Sequence, residues 1–261
     1  MKRYFLHLAY KGFNYRGWQQ QPGGVRTVQA TIEHCLGKVL HEKISVIGCG
    51  RTDAQVHASQ YVLHFDTTAE LPEHFRFIIN KTLPHDISVF DVIPVHRRAH
   101  ARFDAKLRQY DYLFHTEKQA FISQLSALYD PQTFNLPAMR EGAEALLKYQ
   151  DFRAYCLKPD KHHSTICRLQ YCQVFANDKG TRFRFQIAAN RFLRGMVRII
   201  SHRLMELGRG RIGLAEFERP LRDGHPPRPL RSAHPEGLYL SKVRYPFLEL
   251  PAQVDLAFER S

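Results

Sequence analysis

Apolar residues at the start of the chain recur at every second position, namely at Tyr4, Leu6, Leu8 and Tyr10. A period of two residues places side chains on one face of a β-strand, so this pattern predicts a half-buried first strand. The period lengthens to that of a helix after Thr27, a residue type favoured at helix N-caps. The buried face of this helix is predicted to hold Val28, Ile32, Cys35 or Leu36, and Val39.

Strand and helix patterns alternate along the rest of the chain. Strands are predicted at KISVIGC, QYVLHFDTT, DISVFDVIPV, RQYDYLFH, RLQYCQVFA, TRFRFQIAA and LYLSKVRY. Helices are predicted at residues 72–82, 136–150 and 190–207. Two β-α-β-β-like halves of similar pattern indicate an α+β protein whose antiparallel sheets carry helices on one side. We expect two domains, at residues 1–100 and 101–261.

The predicted helix at residues 190–207 has two different faces when it is wound at 100° per residue. One face holds Phe192, Met196, Ile199, Ile200 and Leu207, and the other holds Arg191, Arg194, Arg198 and His202. Such a basic stripe is either solvated or meets RNA phosphate or an acidic site residue. The pattern alone leaves both interpretations open.

Positive charge exceeds negative charge over the whole chain. The 38 Lys and Arg residues against 25 Asp and Glu residues give a formal net charge of +13. This excess favours a polyanionic partner such as nucleic acid, although scattered charges on an ordinary basic enzyme give the same sum. No apolar run reaches the roughly 20 residues of a membrane span, and the N-terminus lacks a signal-peptide cleavage site. We therefore expect a soluble, cytoplasmic protein without a membrane partner.

The five cysteines show no disulfide-like framework, which is typical of a reducing compartment. Five candidate metal ligands lie near one another in sequence: Cys156, His162, His163, Cys167 and Cys172. Their spacing lacks the Cys-x-x-Cys pair that is common in zinc sites. We predict packed cysteines and loop histidines here, and no metal.

A polar segment, GCGRTDAQVHASQ at residues 48–60, separates two of the predicted strands. Asp53 lies in it two positions after Arg51. A loop aspartate commonly forms an Asx turn, but a carboxylate near a guanidinium could also be kept charged for chemistry. The segment's glycines are followed by neither a lysine nor a helix, which argues against a phosphate-binding loop. No Ser/His/Asp order or second paired acid supports a serine hydrolase or a glycosidase.

The segment GRTDAQVHASQYVLHFDT closely resembles the GRTDAGVHA signature of the TruA family of tRNA pseudouridine synthases. Four more segments are similar to that family's opening segment, tyrosine motif, late helix and closing strand. In chain order they are YKGFNYRGWQQQPGGVRTVQATIE, HARFDAKLRQYDYLF, NRFLRGMVRIISHRLMELGRGR and EGLYLSKVRYP. The resemblance therefore covers nearly the whole chain.

The resemblance implies roles for three residues. Asp53 matches the catalytic aspartate, which attacks the uridine or its ribose before the uracil is rejoined through C5. Tyr110 matches the tyrosine that packs on the target base, and Arg198 matches the basic residue that pairs with the aspartate. The family's usual targets are uridines 38 to 40 of the tRNA anticodon arm.

The resemblance also implies an architecture and its partners. The expected pseudouridine synthase fold has two ferredoxin-like or RRM-like halves around a central basic cleft. The expected assembly is a homodimer that binds tRNA and uses no metal or organic cofactor. Arg51 is a further substrate-binding candidate, and Arg191, Arg194 and Trp18 are RNA-binding candidates, although a lone tryptophan is also a common core residue.

One position departs from the family signature: the glycine that usually follows RTDA is Gln55 in this chain. A glycine there permits a backbone conformation that a side chain would strain. The substitution is compatible with an adjusted loop, an altered substrate choice or a lost activity. The alternative functions are therefore a pseudouridine synthase acting on another RNA and a non-catalytic RNA-binding protein.

Overall fold

The structure is a computed structural model that describes residues 1–130, 133–254 and 256. The chain folds into two compact units. Unit 1 consists of Met1–Lys106 together with Tyr239–Leu256, and unit 2 consists of Leu107–Leu238. Both units contain strands and helices, which confirms the predicted α+β class. The expected division into domains 1–100 and 101–261 stays a prediction.

Strands and helices follow the predicted order closely. The strands are β1 (Lys2–Tyr10), β2 (Val46–Gly48), β3 (His57–Thr67), β4 (Ile87–Val95), β5 (Leu107–His115), β6 (Ala127–Leu128), β7 (Leu169–Ala176), β8 (Arg182–Ala189) and β9 (Leu238–Arg244). The α-helices are α1 (Val28–Leu40), α2 (Phe75–Thr82), α3 (Leu136–Ala145), α4 (Met196–Gly208) and α5 (Leu214–Asp223).

The strands of unit 1 pair mostly antiparallel. β1 pairs antiparallel with β3 and β4, and β2 pairs antiparallel with β3. β9 pairs parallel with β3, through His57 opposite Tyr239. The predicted N-cap of α1 is confirmed, because the Thr27 side chain accepts a hydrogen bond from the Ala30 amide. The segment before the Asp53 loop and the strand after it are thus both parts of one sheet.

β1 is buried on both faces, so the prediction of a half-buried strand is wrong. Leu6 and Leu8 are buried as expected, but Phe5 and His7 on the opposite face are buried as well. Phe5 packs against the rings of Tyr245 and Phe247, with centroids 5.4 and 6.1 Å away. The second face is covered because the chain returns to unit 1 after residue 238, which the local pattern of β1 cannot reveal.

The strands of unit 2 also pair mostly antiparallel. β8 lies between β5 and β7 and pairs antiparallel with both, while β6 pairs parallel with β5. Tyr110, Tyr112 and Phe114 lie on one face of β5, as predicted, and all three are buried. The residues on the opposite face of β5 are buried too. One of them, Asp111, accepts a 2.5 Å hydrogen bond from Arg184 Nε. α3 packs on β7 and contacts α4 and α5.

The helix predicted at residues 190–207 begins later in the structure, because α4 starts at Met196. Gly195 precedes it with a φ of 73°, a left-handed conformation that lies outside the right-handed helix. Arg191 and Arg194 therefore lie in a loop before the helix and not on its surface. The predicted stripe of four basic residues on one helix face is wrong.

One helix has no counterpart among the sequence predictions. α5 contains Pro220 in its interior. Proline is disfavoured inside a helix because it has no N–H group to donate to the preceding turn. Its apolar residues Phe217 and Leu221 are buried, so tertiary packing stabilises the helix despite the proline. Across the part of the chain that the structure describes, no helix is long and apolar enough to cross a membrane.

Candidate active site

The Asp53 loop, residues 49–56, connects β2 to β3 and is fixed through Thr52. The Tyr10 and Thr52 hydroxyl groups share a hydrogen bond of 2.8 Å, and the Trp18 amide donates to the Thr52 carbonyl at 3.1 Å. Thr52 and Tyr10 are both buried. The residue directly before Asp53 is thus held through its side chain and its main chain by the core of unit 1.

The second half of the Asp53 loop lies directly against the segment after β1. The Gln55 amide donates to the Tyr15 carbonyl at 3.1 Å. A Cβ atom on Gly12 would lie 1.9 Å from the Val56 carbonyl oxygen, and one on Gly17 would lie 2.8 Å from the main chain of the loop. Gly17 also has a φ of +99°. Both positions require glycine because a side chain would push the two segments apart.

Tyr15, which holds Gln55, is itself fixed. Its hydroxyl donates to Asp86 Oδ1 at 2.6 Å, and the Arg26 guanidinium lies over its ring at 4.7 Å. Burial, with the hydrogen bond to Asp86, raises the pKa of Tyr15 to about 12. The phenol therefore stays protonated as a donor over the physiological pH range. These contacts form a second layer of support behind the Asp53 loop.

Asp53 opens a tight turn, which the Val56 amide closes by donating to the Asp53 carbonyl at 3.2 Å. Gln55, the third residue of this turn, has a φ of 65°. Turns with a positive φ at this position favour glycine or asparagine. The conformation thus agrees with the sequence expectation that a glycine would be unstrained here.

The Asp53 carboxylate is partly exposed. Within the described residues of unit 1, it accepts no hydrogen bond and forms no ion pair. Arg51 is exposed, and the structure does not bring its guanidinium into an ion pair with Asp53. A carboxylate on a rigid turn, without a partner in its own unit, can meet a ligand without first breaking a contact there.

Tyr110 lies on β5 in unit 2, with 9% of its surface exposed. Its ring meets the edge of Phe192 at a centroid distance of 5.0 Å and an interplanar angle of 87°. Phe192 belongs to the loop before α4. The packing on Phe192 fixes the orientation of the Tyr110 ring on its strand.

Arg198 lies in the first turn of α4 and is partly buried. Its Nε donates to the Ala233 carbonyl at 2.7 Å, and its own carbonyl accepts from the Ala233 amide at 2.9 Å. Among the described residues of unit 2, the Arg198 Nη nitrogens make no hydrogen bond. The guanidinium is therefore oriented by one nitrogen and keeps two others for an anionic or carbonyl acceptor.

Two tyrosines of unit 2, Tyr112 and Tyr129, form a hydrogen-bonded pair. The Tyr112 and Tyr129 hydroxyl groups are 2.8 Å apart, and the His234 amide donates to the Tyr129 oxygen at 3.1 Å. Burial raises the pKa of Tyr112 well above its ordinary value, and the positive charge of Arg198 opposes that shift. These contacts fix the end of the loop before β9, to which Arg198 is also bonded.

Residues 8–104 and 143–246 match the sequence profile of the family described as tRNA pseudouridine synthase. The chain belongs to this family. A protein named tRNA pseudouridine synthase A from Azobacteroides pseudotrichonymphae is 36% identical over 94% of this chain and 98% of its own length. Proteins of the same name from Bacteroides fragilis and Chlorobaculum tepidum are 38% and 35% identical, over 94% and 92% of this chain and 97% and 96% of their own lengths. The resemblance found in the sequence is confirmed.

The parts of this chain that match the tRNA pseudouridine synthase profile include two of the three principal site candidates. Asp53 lies in the first matched part and Arg198 in the second, while Tyr110 lies between them. Sequence reasoning found these three residues through the motifs. It missed the supports of the Asp53 loop at Tyr10 and Tyr15, because no local pattern signals a hydrogen bond between residues 42 positions apart, such as that from Tyr10.

The remaining RNA-binding candidates occupy different environments in this family member. Trp18 is only 2% exposed and stacks on Tyr61 at a centroid distance of 4.1 Å, so it is a core residue of unit 1. Arg194 is exposed and Arg191 partly buried, both in the 190–195 loop. The Arg194 carbonyl accepts a hydrogen bond from the Leu157 amide at 3.1 Å, and within the described residues of unit 2 its guanidinium makes no hydrogen bond.

The cysteines near the 190–195 loop are packed in the interior. Cys156, Cys167 and Cys172 are buried. Burial raises the pKa of the Cys167 thiol to about 12, and it also raises the pKa of Cys172. His162 is partly exposed and His163 exposed. In the described ranges, no group of three or more His, Cys, Asp or Glu residues is arranged to hold a metal ion.

Proposed function

We propose that the chain isomerises uridine to pseudouridine in tRNA, with Asp53 as the nucleophile. The observation that carries this proposal is the Asp53 carboxylate, partly exposed and without a partner in unit 1, on a loop held by buried hydrogen bonds. A positioned carboxylate is a competent nucleophile, and a rigid support avoids reorganisation during the reaction. Family membership supports the same reaction.

The proposed reaction adds and removes no atoms overall. The Asp53 carboxylate attacks the uracil ring or the ribose as the bond between N1 and C1′ breaks. The uracil then turns and C5 bonds to C1′. The bond between the Asp53 oxygen and the substrate breaks, which frees the carboxylate, and the C5 proton leaves as N1 takes one up. No redox step is needed, and we propose that no metal or organic cofactor takes part.

The other candidates have proposed roles in binding. A stacked uridine must leave its neighbours to be reached, and an aromatic ring can hold the extruded base. Tyr110 is proposed to pack on that base, and Arg198 and Arg51 are proposed to bind the substrate. Arg191 and Arg194 are proposed to bind RNA phosphate, which the net charge of +13 favours.

The finer features implied by the resemblance belong to the same proposal. They are two ferredoxin-like or RRM-like halves around a basic cleft, a homodimer, a cytoplasmic location and the uridines at tRNA positions 38 to 40. The relatives support the substrate class, since each is named tRNA pseudouridine synthase A.

Pseudouridine mapping on an unmodified tRNA transcript tests the proposal. The proteins compared are the wild type, Asp53→Asn and Asp178→Asn, which makes the same change at an exposed turn residue. We expect modification at positions 38 to 40 with the wild type and Asp178→Asn, and a loss of at least about a thousandfold with Asp53→Asn. Equal RNA binding by all three proteins without any pseudouridine would contradict the proposal. Modification confined to other RNAs would instead favour a different RNA substrate.

A further inference from the structure

Gln55 has a backbone conformation that is unusual for a residue with a side chain. Four non-glycine residues of the described chain have a positive φ: Gln55, His41, His74 and Gln124. The other three are exposed, whereas Gln55 is partly buried inside the turn that Asp53 opens. A Cβ atom disfavours this left-handed region, so a glycine would be less strained here.

The surrounding contacts prevent the Gln55 backbone from relaxing. The Gln55 amide donates to the Tyr15 carbonyl at 3.1 Å, and the next amide, that of Val56, donates to the Asp53 carbonyl at 3.2 Å. A Cβ atom at Gly12 would lie 3.2 Å from the Gln55 carbonyl carbon, so the two segments are in contact. The chain therefore retains a glutamine where the fold favours a glycine, and backbone strain of this kind often accompanies function.

The Gln55 carboxamide is available to a ligand. Its side chain makes no hydrogen bond with the described residues of unit 1, and it is partly exposed. It starts two residues after Asp53 in the same turn, so it can reach a nucleotide held at that carboxylate. A carboxamide offers both N–H donors and a carbonyl acceptor, the combination with which amide side chains read base edges.

The chemistry of uracil suits such a group. The base presents an N3–H donor between two carbonyl acceptors, O2 and O4. When the base turns about the axis through N3 and C6, N1 exchanges with C5 and O2 exchanges with O4. The acceptor–donor–acceptor edge is the same before and after the turn, so one carboxamide can hold the edge in both orientations.

We propose that the Gln55 carboxamide hydrogen-bonds the O2–N3–O4 edge of the uracil at Asp53 and holds the base as it turns. This inference rests on the proposed function. It makes Gln55 a substrate-binding residue that controls how fast the isomerisation takes place.

Three variants separate the carboxamide from the backbone conformation. Gln55→Gly removes both the side chain and the strain, whereas Gln55→Ala removes the carboxamide but keeps a Cβ atom. Gln124→Gly is the matched control, since Gln124 has a φ of 69° in an exposed loop of unit 2. The measurements are the melting temperature and the single-turnover rate of pseudouridine formation on an unmodified tRNA transcript.

The inference predicts that Gln55→Gly and Gln55→Ala both slow the reaction about tenfold, the effect of one or two lost hydrogen bonds. Gln124→Gly should react at the wild-type rate, and both glycine variants should melt no lower than the wild type. Wild-type rates for both Gln55 variants would overturn the inference while leaving the proposed function intact. Slowing by glycine alone would also overturn it, because backbone flexibility would then be the cause. An inactive wild type would overturn the proposed function and the inference together.

Discussion

The Asp53 loop in unit 1 and the 190–195 loop in unit 2 both carry charged site candidates, but they are held in different ways. The Asp53 loop is fixed by a buried threonine hydroxyl and by close contact with glycines. The 190–195 loop is fixed mainly through Asn190 and the main chain. The Arg168 amide donates to Asn190 Oδ1 at 2.8 Å, and the Leu157 amide donates to the Arg194 carbonyl at 3.1 Å.

This difference matches the proposed roles. A reacting carboxylate has to be placed within about half an ångström, which requires buried support on several sides. Arginines that bind phosphate act over a longer range and tolerate several arrangements. In the part of unit 2 that the structure describes, the Arg191 and Arg194 guanidinium groups form no hydrogen bond. The proposed roles thus require precise placement of the first loop and adaptable binding by the second.

The largest expected effect comes from separating the Asp53 loop from its support. Gly12→Ala would place a Cβ atom 1.9 Å from the Val56 carbonyl oxygen, so the main chain has to move. We expect a loss of roughly 3 kcal/mol of unfolding free energy, measured by urea denaturation, and a loss of pseudouridine formation. Gly213→Ala is the control, because its added Cβ meets no atom of the described residues within 4 Å. Similar stability of the two variants would show that the contact does not hold the loop.

A smaller effect is expected from removing one hydroxyl group. Thr52→Val keeps the shape of the side chain but loses the 2.8 Å hydrogen bond with Tyr10. We expect about 1 kcal/mol of destabilisation in urea and a larger proportional loss of the pseudouridine rate, because Asp53 is the next residue. Thr52→Ser retains the hydroxyl and should behave like the wild type. A Thr52→Val enzyme with an unchanged rate would contradict the precision assigned to this loop.

The smallest effect is expected in the 190–195 loop. Arg191→Gln and Arg194→Gln should each weaken tRNA binding without changing the melting temperature. Each should also reduce the slope of log affinity against log salt by about 1. Filter binding at several salt concentrations measures this slope. Arg219→Gln on α5, whose guanidinium lies 3.9 Å from Glu216, is the control. Unchanged slopes for the loop variants would remove these arginines from the RNA-binding surface.

The sequence predicts local features of both regions and misses those that depend on distant residues. The Thr27 cap and the two strands on either side of Asp53 follow from residue type and period, and the motif containing Asp53 lies between those strands. The predicted helix start at residue 190 lies six residues before α4, because the apolar and basic spacing of residues 190–195 is also compatible with a helix, whereas Gly195 has a left-handed backbone.

Other features depend on contacts that no local pattern encodes. The covered second face of β1 depends on rings more than 200 positions later in the chain. The same holds for α5, whose interior Pro220 hides a helix that is stabilised by the burial of Phe217. The support of Thr52 by Tyr10 is equally non-local. Sequence motifs thus indicate the candidate site, whereas the contacts that hold the Asp53 loop are seen only in the structure.

The most direct test of Asp53 as the nucleophile is the single-turnover release of tritium from tRNA labelled at uridine C5. Every conversion to pseudouridine expels the hydrogen at C5, so the released label counts reaction events. The account predicts release by the wild type and by Asp178→Asn, and a rate at least about a thousandfold lower for Asp53→Asn with equal melting temperature and tRNA binding. A folded, tRNA-bound Asp53→Asn enzyme that releases tritium within tenfold of the wild-type rate would contradict it.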